Sequence, residues 1–436
     1  GRYASSNRCF DNKPASHLGP DQPTLLEHLK QAGYRIGLAG KNHTFKPEFA
    51  ERLFDDFQEY SPWGKTHGTM TDGDRAVRTF RNTTGPDSQI GNKLLEGLID
   101  FPEPFPQQQC MTARIADDAI AFARKHAGEP FFLHMSFPAS HWPNVVCEPY
   151  FSQYRDRLGE IELAGMDSID WSSHPFAHYV QSQIAGFDTM SKGDRQKLLA
   201  IMYGQISFVD RSVGRLIEAL KEIGQYDDSI IVFTSDQGCF GGQFGLPCKT
   251  KGYYESLIRI PLVIKLPASA GEVADAKPAA PIESLVENID VMPTLLEMAG
   301  IGYSASDDSE IDGRSFAGVL RGETEGHRQE IYAEVGTLEP PPPAISEAAF
   351  AEQHRKRSAE DMFWFVEYTM QGRSAMLREA GWKYCYYVRD REELYHYADD
   401  PLELTNLAEK PEHAERKQAM QEKLFAKGFV GIGDEP

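Results

Sequence analysis

The chain has 436 residues, 41% of them hydrophobic, and a net charge of −20. That length exceeds a minimal domain and can bury a large core. The charge excludes nucleic-acid binding through a bulk basic face, and an anionic substrate has to be held by a local cluster of Lys, Arg, His or metal.

No apolar run approaches the ~20 residues of a membrane-spanning helix. Residues 1–30 lack the charged stretch and apolar stretch of a signal peptide. The six cysteines (Cys9, Cys110, Cys147, Cys239, Cys248, Cys385) form no CxxC pair. They signal neither a zinc site nor a dense disulfide framework, although Cys239 and Cys248 could pair across one loop.

In chain order, Pro23 to Ala32 reads as a helix with Leu25, Leu26 and Leu29 on one face and Gly33 as its stop. Tyr34 to Ala39 reads as a strand that ends in Gly40-Lys41-Asn42-His43. Thr112 to His126 is helical in period, Pro130 breaks it, and Phe131 to Phe137 is the next strand. Residues 151–196 show little regular pattern and read as an insertion. Leu198 to Ile223 is a long amphipathic helix stopped by Gly224. It feeds the apolar, β-branched run Ser229 to Ser235, which reads as a buried strand. Ile258 to Leu266 is a further strand, and Asp290 to Ala299 a helix with Asp290 as its cap and Pro293 in its first turn. This alternation predicts an α/β fold with a doubly wound, mostly parallel sheet flanked by helices.

Past residue 328 the pattern changes. Ile331 to Val335 reads as a strand, and Pro340 to Glu360 as a long excursion. Ser374 to Val388 reads as a hairpin turning at Gly381-Trp382, Glu393 to Tyr397 as another strand, and Glu412 to Lys427 as a closing helix. Consecutive strands without long crossovers predict a smaller antiparallel sheet. The expected division is therefore an α/β domain over 1–328 and an α+β subdomain over 329–436.

Three strand ends carry polar groups: Lys41 and His43, then His141, then Asp236 and Gln237, with Lys249 and Lys251 soon after. In a doubly wound sheet such ends converge on one rim. Asp236 and Gln237 offer two oxygens to a hard cation such as Ca²⁺ or Mg²⁺. The lysines suit the non-bridging oxygens of a tetrahedral anionic ester, and the histidines suit orientation of a nucleophile and protonation of a leaving oxygen. Taken singly, each has a plainer reading: Asp236 as a turn residue, Lys41, Lys249 and Lys251 as solvated charges, and His141 as a packed loop residue.

An ordered series of motifs resembles the sulfatase family of the alkaline-phosphatase superfamily. Gly40-Lys41-Asn42-His43 is similar to its G-K-x-H element, Ser140-His141-Trp142-Pro143 to H-x-P, and Thr234-Ser235-Asp236-Gln237-Gly238 to T-S-D-[HN]-G. Lys251 to Pro261 resembles the stretch after the family's active-site lysine. Asp290 to Leu296 and Asp312 to Ser315 resemble later segments, and Glu393-Leu394-Tyr395 with Asp400 to Leu407 resembles its carboxy-terminal signature.

The resemblance implies hydrolysis of sulfate esters, of carbohydrates or other small molecules, by a formylglycine nucleophile with Ca²⁺, less readily Mg²⁺. It assigns Lys41 to the sulfate and nucleophile oxygens, His43 to the formylglycine hydroxyl, and His141 to protonation of the leaving alcohol. Asp236 and Gln237 fall to the metal, and Lys249 or Lys251, with Lys249 favoured by spacing, to the substrate. Gln237 stands where Asn or His is usual, and Asn42 stands where Trp is usual, which opens the pocket. The family's C/S-x-P-S-R nucleophile element is absent, and the chain begins Gly1-Arg2-Tyr3, similar to the residues that follow it. The expectation is that the nucleophile lies upstream and that this polypeptide alone turns nothing over. A phosphonate or phosphodiester hydrolase of the same superfamily and a catalytically silent binding protein are the alternatives. The basic run His354-Arg355-Lys356-Arg357 could meet a polyanionic sugar or be a solvated helix face.

Overall fold

The computed structural model describes residues 2–7, 18, 24–60, 107–141, 144–161, 169–185, 191–246, 249–250, 252–269, 281–302, 311–336, 372–379 and 381–429. Lys251, Cys9, Cys248, the proline run and the basic run 354–357 lie outside the described residues.

The Leu25–Gln31 helix opens on a capping box: Thr24 accepts the N–H of Glu27, and the Glu27 carboxylate reaches back to the Thr24 N–H. Its apolar face, Leu26 and Leu29, packs with Phe45, Phe49 and Phe54 onto Ile36 and Leu38 of the first strand. That strand, β1 (Arg35–Gly40), is flanked in parallel register by β2 (Asp56–Glu59) and β3 (Phe131–Ser136). On the other face the Met111–Lys125 helix buries Ile115, Ala119 and Phe122 against the sheet. Gly37 gives that ring its room: a Cβ there would lie 2.6 Å from Phe122 Cε2.

The Lys192–Glu222 helix starts six residues before the predicted Leu198, because Ser191 caps it by accepting the Asp194 N–H. It leads into β4 (Ile231–Thr234). Here the mostly parallel pattern has its antiparallel pair. β4 pairs antiparallel with β5 (Leu262–Lys265). The predicted strand Ile258 to Leu266 is shorter in the structure: Ile258 closes a helical turn, Glu255–Ile258, and the strand begins at Leu262. Pro261 limits the strand's start, since its ring carries no N–H for a ladder. The stretch 151–196 is also more regular than expected: Phe176–Ala185 is a helix that buries His178, Gln181 and Ser182.

Asp290 stands at the N-cap of the Val291–Met298 helix, as expected, but its side chain makes no cap hydrogen bond. Its buried carboxylate is gripped by Arg328 at Nε (2.7 Å) and Nη2, and accepts the N–H groups of Glu287 and Arg314. Burial pushes the Asp290 carboxyl up, but Arg328 and those backbone donors outweigh it and hold the group below its ordinary range. Four antiparallel strands follow in the order β6 (Glu330–Val335), β7 (Ser374–Glu379), β8 (Trp382–Tyr387) and β9 (Glu393–His396). Gly381 turns the β7–β8 hairpin at φ +83°, a left-handed conformation that side chains disfavour. The Ala414–Ala426 helix seals this sheet with Met420 and Leu424.

Candidate active site

β1 is buried from Ile36 to Gly40 and delivers Lys41 at its carboxyl end. Gly40 has φ +126°, and a Cβ on it would fall 1.9 Å from the Ser136 carbonyl oxygen. The close approach lets Lys41 donate its N–H to that same oxygen at 3.0 Å, locking the end of β1 to the end of β3. Asn42 does not line an opened pocket. It is buried, its Oδ1 accepts the N–H groups of Thr44 and Phe45, and its Nδ2 donates to the Phe45 carbonyl. It shapes the turn that leaves His43 exposed.

Glu59, missed by sequence reasoning, sits beside this turn. β2 pairs it with Gly40, and its carboxylate accepts a hydrogen bond from Asn42. Burial raises its pKa to about 7 against the opposing effect of Asn42. A four-residue strand of mixed polarity gives no sequence signal for that environment.

At the second strand end, β4 stops at Thr234 and Asp236 stands exposed two residues on. The Ser235 hydroxyl donates to the Gln237 carbonyl at 2.6 Å. Gly238 donates its N–H to Leu257 at 2.7 Å, and a Cβ there would lie 2.0 Å from the Ser256 carbonyl oxygen. The loop after Asp236 is thus pressed backbone to backbone onto the Glu255–Ile258 turn.

The segment bearing Lys249 is held from below. Tyr254 donates to Glu393 at 2.8 Å, and that buried carboxylate also accepts from Tyr387 (2.7 Å) and Tyr395 (2.6 Å). Tyr253 meets Ser374 at 3.0 Å, and Lys383 donates to the Tyr253 carbonyl and pairs with Glu403. The antiparallel sheet is the seat on which this loop rests.

The charges of Asp236, past β4, and of Lys249, on this loop, both bear on Lys41. Its ammonium is held below the usual lysine range, first by burial and then by the charge of Lys249, while the Asp236 carboxylate opposes both. Two half-buried lysines and one exposed carboxylate therefore share one electrostatic neighbourhood. Lys249 also bears on Cys239, whose thiol burial pushes up against that cation. The lower edge agrees: Gln225, ahead of β4, donates to the Glu129 carbonyl ahead of β3, at 3.1 Å. That bond ties the approach to β4 to the approach to β3. His141 lies half-buried beyond β3, its N–H donated to Pro138 at 2.7 Å.

Asp236 and Gln237 bring a carboxylate and an amide, donors of the kind a hard cation takes. Among the described residues no group of three or more His, Cys, Asp or Glu could hold a metal ion. The pair therefore fits part of a divalent-metal site and needs further oxygens.

Comparison with known proteins defines the class. The Sulfatase family model matches residues 1–301. The choline-sulfatase of Rhizobium meliloti (strain 1021) is 27% identical over 424 residues, covering 94% of this chain and 72% of that protein. Among solved structures, the phosphonate monoester hydrolase SpPMH from Silicibacter pomeroyi aligns with a TM-score of 0.72 at 22% identity, over 98% of this chain and 83% of that one. BT4656, solved in complex with its substrate D-glucosamine-2-N,6-O-disulfate, aligns at 0.66 and 20%, over 100% of this chain and 88% of that one. These are hydrolase folds of the alkaline-phosphatase type. The chain belongs to the sulfatase family.

Proposed function

We propose that this rim binds and cleaves sulfate monoesters, with sulfated carbohydrates as the favoured substrate class and other small sulfate esters next. The observation that carries the reading is that the charges of Lys249 and Asp236 both act on the partly buried Lys41. Two ammonium groups in a partly dry site neutralise the sulfate oxygens more strongly than they could in water. They do so locally, against a net charge of −20. Family relatives carrying sulfatase names, and a structural neighbour holding a disulfated glucosamine, support the class.

Within it, Lys41 and Lys249 hold the sulfate, His141 gives a proton to the departing alcohol oxygen, and His43 orients the attacking group. Lys251 is the alternative to Lys249 for the substrate. Asp236 and Gln237 would hold a divalent ion, Ca²⁺ before Mg²⁺, and such an ion supplies charge neutralisation beside the lysines. No C-x-P-S-R or S-x-P-S-R element occurs in these 436 residues. The roles we assign to its side chains are binding, charge neutralisation and proton transfer. We also keep the division into an α/β part over 1–328 and an α+β part over 329–436.

Fold likeness to SpPMH favours a second reading, phosphonate or phosphodiester hydrolysis. Paired rates on an aryl sulfate and an aryl phosphodiester, measured on the product of the complete gene, separate the two. The sulfatase reading predicts the higher kcat/KM on the sulfate, and dominance of phosphodiester turnover overturns it.

A further inference from the structure

Cys110 and Cys147 lie far apart in the chain and belong to no motif, yet the fold brings them together. The Cys110 side chain hydrogen-bonds to Cys147, and both join a small cluster with Ala113, Phe208 and Tyr150. The flanking backbone is apposed too: Gln107 Nε2 donates to the Glu148 carbonyl at 2.9 Å. The Tyr150 ring, stacked 4.6 Å from Phe208, senses both thiols. No disulfide joins them in this structure.

The two sulfurs differ in access and setting. Cys147 is buried, at 3% exposure, whereas Cys110 is half-buried. Cys110 also occupies the N-cap of the fifteen-residue Met111–Lys125 helix, where the helix dipole favours a thiolate. The hydrogen bond from Cys110 lowers the pKa of Cys147 against its burial. One thiol can be reached from solvent, and the other waits behind it.

We propose that Cys110 and Cys147 form a redox-responsive dithiol that small-molecule disulfides such as oxidised glutathione convert to an intramolecular disulfide. Cys110, the thiol reached from solvent, passes its proton to the Cys147 sulfur it is hydrogen-bonded to and attacks one sulfur of oxidised glutathione. The glutathione S–S bond breaks, and one glutathione leaves as thiolate. Cys147 then attacks the Cys110 sulfur of the mixed disulfide and expels the second glutathione. The protein loses two thiol hydrogens and two electrons, and one glutathione disulfide becomes two glutathiones. The new bond closes a loop containing β3 and His141 onto the base of the Met111–Lys125 helix.

The test is to incubate the purified chain with oxidised glutathione, block remaining thiols with N-ethylmaleimide and map peptides without reduction. The proposal predicts a Cys110–Cys147 linked peptide and an intact mass two hydrogens lighter. It also predicts a Tm higher by about 4 °C, as expected for a loop of roughly 37 residues in a chain of this size, lost again on adding dithiothreitol. Cys147→Ser, shown folded by circular dichroism, traps glutathione on Cys110, and Cys110→Ser takes none. Wild-type protein that keeps glutathione on Cys110 overturns the proposal, as does one in which both thiols remain open to N-ethylmaleimide after incubation. A link that forms only after denaturation does so too.

Discussion

Lys41 concentrates the argument at the residue scale, because it is a cation partly withdrawn from water beside another cation. Such a group gains from an arriving dianionic or monoanionic ester what it lacks in the empty site. Lys41→Ala in the complete gene product is therefore expected to lower kcat/KM on an aryl sulfate by about 10²–10³-fold, with the fold intact by circular dichroism. Glu59 gives a second prediction. Its folded pKa, about 7, lies above the ordinary 4.5. Between those values the folded state holds a proton that the unfolded state has lost, so stability falls as pH rises through this window. Glu59→Gln removes that loss. Thermal melts are expected to show the variant more stable than wild type at pH 8, by ~1 kcal/mol after discounting for partial solvent contact, and nearly equal at pH 4. Lys41, Asp236 and Lys249 were legible in the sequence because each follows an apolar strand or a glycine turn at a recognisable spacing. Glu59 was not, since its environment is made by the register of β2 on β1 and by Asn42, both tertiary facts.

At the scale of elements, periodicity recovered β1, β3 and the Leu25–Gln31 and Met111–Lys125 helices to within a few residues, because their apolar residues are buried against one another, but it gave neither β2 nor the Phe176–Ala185 helix. It failed where backbone and side chains answer to other partners. Ile258 to Leu266 is apolar enough for one strand, yet Tyr254 to Ile258 is held as a turn by Glu393 and by the close packing of Gly238 on Ser256. Asp290 has the composition of a cap, but Arg328 claims its carboxylate. Glu393 illustrates how the antiparallel sheet serves the rim, as three tyrosine hydroxyls converge on it. Glu393→Ala leaves those buried donors without their acceptor and is expected to cost about 3 kcal/mol in urea unfolding. It should also raise KM for a sulfate ester through the displaced Lys249 loop, while Phe in place of the exposed-face Tyr203 changes neither.

For the whole molecule, the amino-terminal end and the antiparallel sheet are fastened by one buried polar knot. Tyr3 donates to Glu287 at 2.6 Å, and Glu287 accepts the Tyr332 N–H of β6 at 2.6 Å. Arg328, 7% exposed, bridges to both Glu287 and Asp290. Asp290→Ala strands that guanidinium in the interior and is expected to cost about 3–5 kcal/mol, read from the midpoint of denaturant unfolding. The tyrosine-lined seat holds the segment after Lys249 on the antiparallel sheet, and the central claim is that Lys41 and Lys249 form one anion site. Calorimetric titration of inorganic sulfate into the chain measures it directly. Lys41→Ala and Lys249→Ala are each predicted to weaken sulfate binding by about tenfold or more, with Lys221→Ala, an exposed helix lysine paired with Glu218, unchanged. Sulfate affinity equal to the parent's in both rim variants would contradict the account.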